Sequence, residues 1–160
     1  MDPLVAIGIS VGILAGLWGQ FSGDLGLITW VGFIAWACFY AAGGKREGFL
    51  KTVPANLSGV LWGWLMVWFA GVLGFTGGLG IAIAIGACMM VVQAKVSWLG
   101  FIPGAFAGTS CFFGTNGDWQ ATAIALVLGA ALGWASEAGG GLIAKIGAKP
   151  AVESAVSEKV

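Results

Sequence analysis

Two pairs of uncharged polar side chains, Asn56 with Ser58 and Thr109 with Ser110, fall inside long apolar stretches. An amide and three hydroxyls at such positions can offer a passing molecule hydrogen bonds in exchange for those it leaves in water. That is the chemistry of passage, not of bond-making. Trp36 and Trp64 also lie near the middle of apolar stretches, where aromatic rings can form a constriction that filters by dewetting. Each residue also has a plainer use. Asn56 can satisfy a helix end, Thr109 and Ser110 can bond back to the carbonyls of their own helix, and the tryptophans can be ordinary bundle packing.

Bond-making chemistry lacks its parts. The chain has no histidine, which removes the commonest metal ligand and the side chain that titrates near neutrality. There are no paired intramembrane carboxylates, no H-E-x-x-H, no Walker motif and no G-x-G-x-x-G. A nucleophile would find no base at depth. Cys38, Cys88 and Cys111 form no C-x-x-C pair and read as free thiols. Enzymatic activity, a cofactor and a bound metal are therefore not expected.

The elements that must position these groups are set by hydropathy. Of the residues, 59% are hydrophobic and 9% charged, against roughly 25% charged in a soluble domain. The expected fold is all-α and membrane-embedded, with six transmembrane helices at about 3–23, 25–44, 53–73, 78–94, 97–116 and 119–138. The membrane domain covers 1–144, and a polar cytoplasmic tail covers 145–160. Each span approaches the roughly 20 apolar residues that cross a bilayer. Gly74, Gly77 and Gly78 supply a tight turn between the third and fourth spans. Pro54 reads as the first turn of the third span, and Gly139-Gly140-Gly141 as the end of the sixth. The first span lacks a basic leader and reads as an uncleaved helix, not a signal peptide.

Six crossings place Lys45, Arg46, Lys51, Lys95, Lys145, Lys149 and Lys159 on one side with both termini. Asp24 and Asp118 fall on the other. The positive-inside rule makes the basic side cytoplasmic. Zero net charge gives no bulk attraction to nucleic acid. The span interiors carry almost no ionisable group. Glu137, at the cytoplasmic end of the last span, reads as an interfacial anchor, which disfavours a pump using a buried carboxylate.

Gly8, Gly12 and Gly16 form one small-residue stripe, and Gly100, Gly104 and Gly108 another. Shorter pairs occur at Gly59/Gly63 and Gly129/Gly133. Four-residue spacing lets helix backbones approach closely in lipid. The halves also echo each other. Trp30-Val31-Gly32-Phe33-Ile34 returns as Trp98-Leu99-Gly100-Phe101-Ile102, Cys38-Phe39-Tyr40 as Cys111-Phe112-Phe113, and Leu61-Trp62-Gly63-Trp64 as Ala131-Leu132-Gly133-Trp134. Three spans per half make this an inverted repeat, an arrangement that places a solute path at the repeat interface.

The chain resembles a bacterial inner-membrane family known as domain of unknown function 1097. The resemblance rests on overall length, Gly16-Leu17-Trp18-Gly19, Trp30-Val31-Gly32-Phe33 and Asn56-Leu57-Ser58-Gly59-Val60. It implies location in the bacterial inner (plasma) membrane and supplies no catalytic residues. In architecture alone, six spans in two inverted halves are similar to small channels for formate, acetate and urea.

The expected function is a channel or facilitator for a small, mostly neutral polar solute, working as a homo-oligomer in the lipid bilayer. Asn56, Ser58, Thr109 and Ser110 are the pore-lining candidates, with Trp36 and Trp64 as the constriction. A small monocarboxylate transporter and a non-transporting scaffold or accessory subunit are the alternatives.

Overall fold

In a computed structural model, which describes residues 1–146, the chain folds into six α-helices: α1 Pro3–Phe21, α2 Thr29–Ala41, α3 Lys45–Leu73, α4 Gly78–Val92, α5 Ile102–Gly114 and α6 Trp119–Ile146. Two short 3-10 turns, Gln93–Lys95 and Ser97–Leu99, join α4 to α5. There is no strand among the described residues. The polar tail expected from residue 145 lies, beyond Ile146, outside the described residues.

The helix ends follow local chemistry. Asp2 caps α1, its carboxylate accepting from the N–H groups of Leu4 at 2.7 Å and Val5 at 3.2 Å, with Pro3 in the first turn. Gly74 and Gly77 turn the chain between α3 and α4 with φ of 65° and 100°, conformations that a side chain resists. Asp118 caps α6 by accepting from Ala121 N–H at 3.0 Å.

The long helices α3 (29 residues) and α6 (28 residues) form the centre. α3 packs on α5, α4, α6 and α2, while α6 packs on α2, α1 and α3. Contact register fixes direction. Gly59 faces Ala105 and Gly63 faces Phe112, so α3 and α5 run parallel. Gly44 meets Glu137 while Gly140 meets Ile7, so α6 runs antiparallel to α3 and α1. α4 returns along α3, with Gly86 on Met66 and Gly78 on Leu73.

Among the described residues, four elements are long and apolar enough to cross a membrane: Pro3–Phe21, Lys45–Leu73, Gly78–Lys95 and Trp119–Ile146. α2 and α5 have 13 residues each. At 1.5 Å per residue each spans only about 20 Å, short of the roughly 30 Å hydrocarbon core. Residues expected to be helical at 25–28 and 97–101 instead form turns. The surface is apolar along its length, with Leu4, Leu17, Leu61, Val72, Ile124 and Leu142 all exposed, as a lipid-facing surface requires.

Three expectations about helix ends change. α3 begins at Lys45, not near residue 53, so Pro54 lies inside the helix and not in its first turn. With no N–H, Pro54 cannot pair with the carbonyl of Leu50. α6 continues through Gly139-Gly140-Gly141 to Ile146. Those glycines admit α1, since a β-carbon on Gly140 would stand 2.6 Å from Ile7 Cα, and one on Gly139 would overlap Ser10 Oγ. Gly100 lies in the turn before α5 and not on it, because Pro103 opens the helix one turn later.

Candidate functional site

Glycines bring the four interior helices into backbone contact. A β-carbon on Gly59 would overlap the Ala105 carbonyl of α5, and one on Gly129 would overlap the Gly32 carbonyl of α2. One turn further along, Gly63 would meet Phe112 at 2.6 Å and Gly133 would meet Phe39 at 2.7 Å. Gly104 and Gly108 sit as closely against Ala55 and Asn56 of α3. Around the axis these contacts define, Val31, Ala35, Val60, Cys111, Phe112, Ala125 and Leu126 form a closed apolar cluster. The stripe of Gly8, Gly12 and Gly16 differs: a β-carbon on any of them meets nothing within 4 Å, and all three are exposed.

The six candidate residues do not converge on one cavity. Trp64 and Ser110 are exposed on the outside of the bundle. Trp64 lines an open apolar groove of about 430 Å³ with Leu57, Leu61 and Trp119. Trp36 is buried, and its indole N–H donates to Ser136 Oγ at 3.1 Å. Ser136 Oγ also lies 2.7 Å from the Tyr40 hydroxyl and donates to the Gly133 carbonyl at 2.7 Å. Its single proton is thus used, and it accepts from both Trp36 and Tyr40. The trio ties α2 to α6.

Thr109 and Ser58 are likewise occupied. Thr109 donates across to the Gly59 carbonyl at 2.6 Å, with its own Ala105 carbonyl and Met90 Sδ each at 3.1 Å. Ser58 donates to the Ala55 carbonyl at 2.7 Å and accepts from Gln93 Nε2 at 3.0 Å, while Gln93 Oε1 accepts from Trp62 Nε1 at 2.8 Å. This chain of bonds pins the end of α4 to α3.

Asn56 is different. It is 1% exposed, and neither Oδ1 nor Nδ2 has a hydrogen-bond partner. One turn earlier, the Thr52 hydroxyl is fully buried and equally unpartnered. An uncompensated buried polar group costs roughly 2–7 kcal/mol on transfer scales, and surrounding lipid supplies no relief. Sequence reasoning missed Thr52 because it lies beside Lys51, outside the span expected there. It also missed Ser136, whose importance depends on two tryptophan and tyrosine donors about a hundred residues away.

Glu137 is more than an anchor. Its Oε2 accepts from the backbone N–H of Lys45 at 2.5 Å, capping α3 from α6 where the chain turns through Gly43 and Gly44 with φ of 103° and 66°. Substitution of Glu137 by Ala is expected to lower the unfolding free energy by about 1 kcal/mol, read as a lower thermal midpoint in detergent, with Glu137→Gln retaining most of the stability. Next to this cap, Lys51 Nζ pairs with Glu47 at 2.6 Å.

The sequence matches the family described as "Protein of unknown function (DUF1097)" over residues 8–141. It is 36% identical over 152 residues to "Uncharacterized protein YahC" of Escherichia coli K12, covering 88% of this chain and 92% of that protein. It is 35% identical over 153 residues to "Inner membrane protein YcdZ" of the same organism, covering 94% of both. The "Inner membrane protein YcdZ" of Salmonella typhimurium is 32% identical over 142 residues, with 88% of this chain and 89% of that protein covered. No solved structure matches. With a match over most of its length and relatives that align nearly end to end, the chain belongs to the DUF1097 family of membrane proteins.

Proposed function

We propose that this protein is an inner-membrane facilitator for a small, mostly neutral polar solute, built from two inverted three-helix halves and working as a homo-oligomer without catalysing a reaction. The observation that carries the reading is the pairing of contacts between halves. A constant shift along the sequence takes Thr52, Ala55, Gly59, Gly63 and Trp64 of α3 onto Thr122, Ala125, Gly129, Gly133 and Trp134 of α6. A second takes Gly32 and Phe39 of α2 onto Ala105 and Phe112 of α5. The contact of Gly59 with Ala105 then answers that of Gly129 with Gly32, and Gly63 with Phe112 answers Gly133 with Phe39. The short helices have 13 residues each, and the long ones differ by one residue, 29 against 28. By contrast, Trp30–Ile34 lies in α2 and Trp98–Ile102 lies mostly in the turn before α5.

Several features support six crossings with both termini in the cytoplasm. Neighbouring helices alternate in direction, and turns at 22–28 and 93–101 extend the two short helices toward full depth. The Glu137–Lys45 bond places the start of α3 and the last third of α6 at one level. Inverted halves put a solute path at their interface. The apolar cluster closes that interface, so passage requires movement of the helices and not diffusion through a standing pore. The open glycine face of α1 and the outward Trp64 and Ser110 are where a neighbouring subunit would sit.

A neutral solute is favoured over a carboxylate, since no Lys or Arg among the described residues is buried. The closed apolar interface is also what a non-transporting scaffold would have. Stopped-flow light scattering of proteoliposomes, with a panel of small amides, polyols and weak acids, separates these readings. The facilitator gives permeability at least tenfold above empty vesicles for a neutral member. Permeability equal to empty vesicles for every solute leaves the scaffold.

A further inference from the structure

The polar groups of the interior divide into those already paired and those that are not. Ser58, Thr109, Ser136 and Thr122 all have partners, Thr122 bonding to the Asp118 carbonyl and lying 2.7 Å from the Thr115 hydroxyl. Asn56 and Thr52 have none and are buried on one face of α3, one turn apart, on either side of Pro54. The other half shows what this position requires of packing. The shift that takes Gly59 onto Gly129 takes Asn56 onto Leu126, which is 1% exposed and part of the apolar cluster. A leucine therefore fills the corresponding place in the same architecture. The shape of the bundle does not demand an amide at residue 56, and the lipid surroundings oppose one.

We propose that Asn56, assisted by Thr52, is the recognition site for the carried solute, and that the solute is a small neutral molecule with a donor nitrogen and an acceptor oxygen on one carbon, of the primary amide or urea class. The inference rests on the facilitator reading. An asparagine side chain presents N–H donors beside a carbonyl acceptor, so it pairs with another amide through two antiparallel hydrogen bonds. A carboxylate would meet only one half of that pattern and no cation. A polyol would match it less well, having no fixed donor–acceptor pair. The Thr52 hydroxyl, able to donate or accept, adds a third bond one turn toward the cytoplasmic end of α3. Pro54 leaves the Leu50 carbonyl without its helical donor, which lets this turn of α3 adjust when a solute enters.

The test uses wild-type protein, Asn56→Leu and Thr52→Val in proteoliposomes, with acetamide, urea, glycerol and water flux measured by stopped-flow scattering and the thermal midpoint measured on the same preparations. The expected result is that Asn56→Leu lowers acetamide and urea permeability at least tenfold while its thermal midpoint equals or exceeds that of wild type. Thr52→Val lowers the same fluxes severalfold. Wild-type flux with an unaffected Asn56→Leu variant overturns this site while leaving the facilitator reading intact. A loss confined to water flux assigns the pair to a buried water and also overturns the proposal. No flux through wild type for any solute removes the reading and the site together. If Asn56→Leu does not yield folded protein, the packing argument fails and Thr52→Val decides the site alone.

Discussion

Gly129→Ala is expected to destabilise the protein by at least about 3 kcal/mol, as one of the few single-methyl additions that would overlap a backbone carbonyl of a neighbouring helix. Adding a methyl to a helix glycine ordinarily stabilises by nearly 1 kcal/mol, so the sign must come from what the methyl meets. At Gly129 it overlaps the backbone carbonyl of Gly32. A side chain can rotate away, but a carbonyl inside α2 moves only if the helix moves. Ordinary overpacking costs about 1–3 kcal/mol, and a backbone obstacle belongs at or above the top of that range. Gly59→Ala against the Ala105 carbonyl should behave alike. Gly12→Ala, with nothing within 4 Å, is the control and should change subunit stability by no more than about 1 kcal/mol. Thermal unfolding in detergent, read with the monodisperse fraction, measures all three. Equal midpoints for Gly129→Ala and Gly12→Ala would show that α2 and α6 are not in backbone contact.

Ser136→Ala is expected to have a smaller but still large effect, about 1–3 kcal/mol. Removing the hydroxyl strips the acceptor from the Trp36 indole and the Tyr40 hydroxyl at once. Interhelical hydrogen bonds in membranes average only about 0.6 kcal/mol, because groups freed in lipid often find other partners. Trp36 is 4% exposed and stacks on Phe33, with ring centroids 6.1 Å apart, so its N–H has little freedom to find one. A loss at the upper end is therefore expected. Trp36→Phe removes one donor with the acceptor intact and should cost less than Ser136→Ala. The same midpoint assay orders the two variants, and the reverse order would break the assignment of Ser136 as a shared acceptor.

Much of this protein follows from its composition and punctuation. A chain so apolar and so poor in charge must place its surface in lipid. The glycine turn at 74–78 stands where the charge-free stretch has to reverse. The four-residue spacing of Gly59/Gly63 and Gly129/Gly133 marks helix faces that pack. These features are local or additive, so they are visible in order along the chain.

Other features depend on what lies opposite. Gly8-Gly12-Gly16 and Gly104-Gly108 look equivalent as spacings, yet only the second pair meets a neighbouring backbone within the subunit. Gly139-Gly140-Gly141 resembles a helix stop, but the approach of Ile7 and Ser10 makes it a packing surface inside α6. α3 starts eight residues before the apolar stretch suggests because Glu137, far away in sequence, caps it. The polar residues divide in the same way. Residue type identified Asn56 and Thr109 together as able to hydrogen-bond. Only the tertiary structure separated Thr109, bonded to Gly59, from Asn56 and Thr52, left without partners. Hydropathy sums over neighbours in sequence and so determines the medium and the number of helices. Hydrogen bonds and steric contacts act between neighbours in space, and they decide which buried polar side chains are left without a partner.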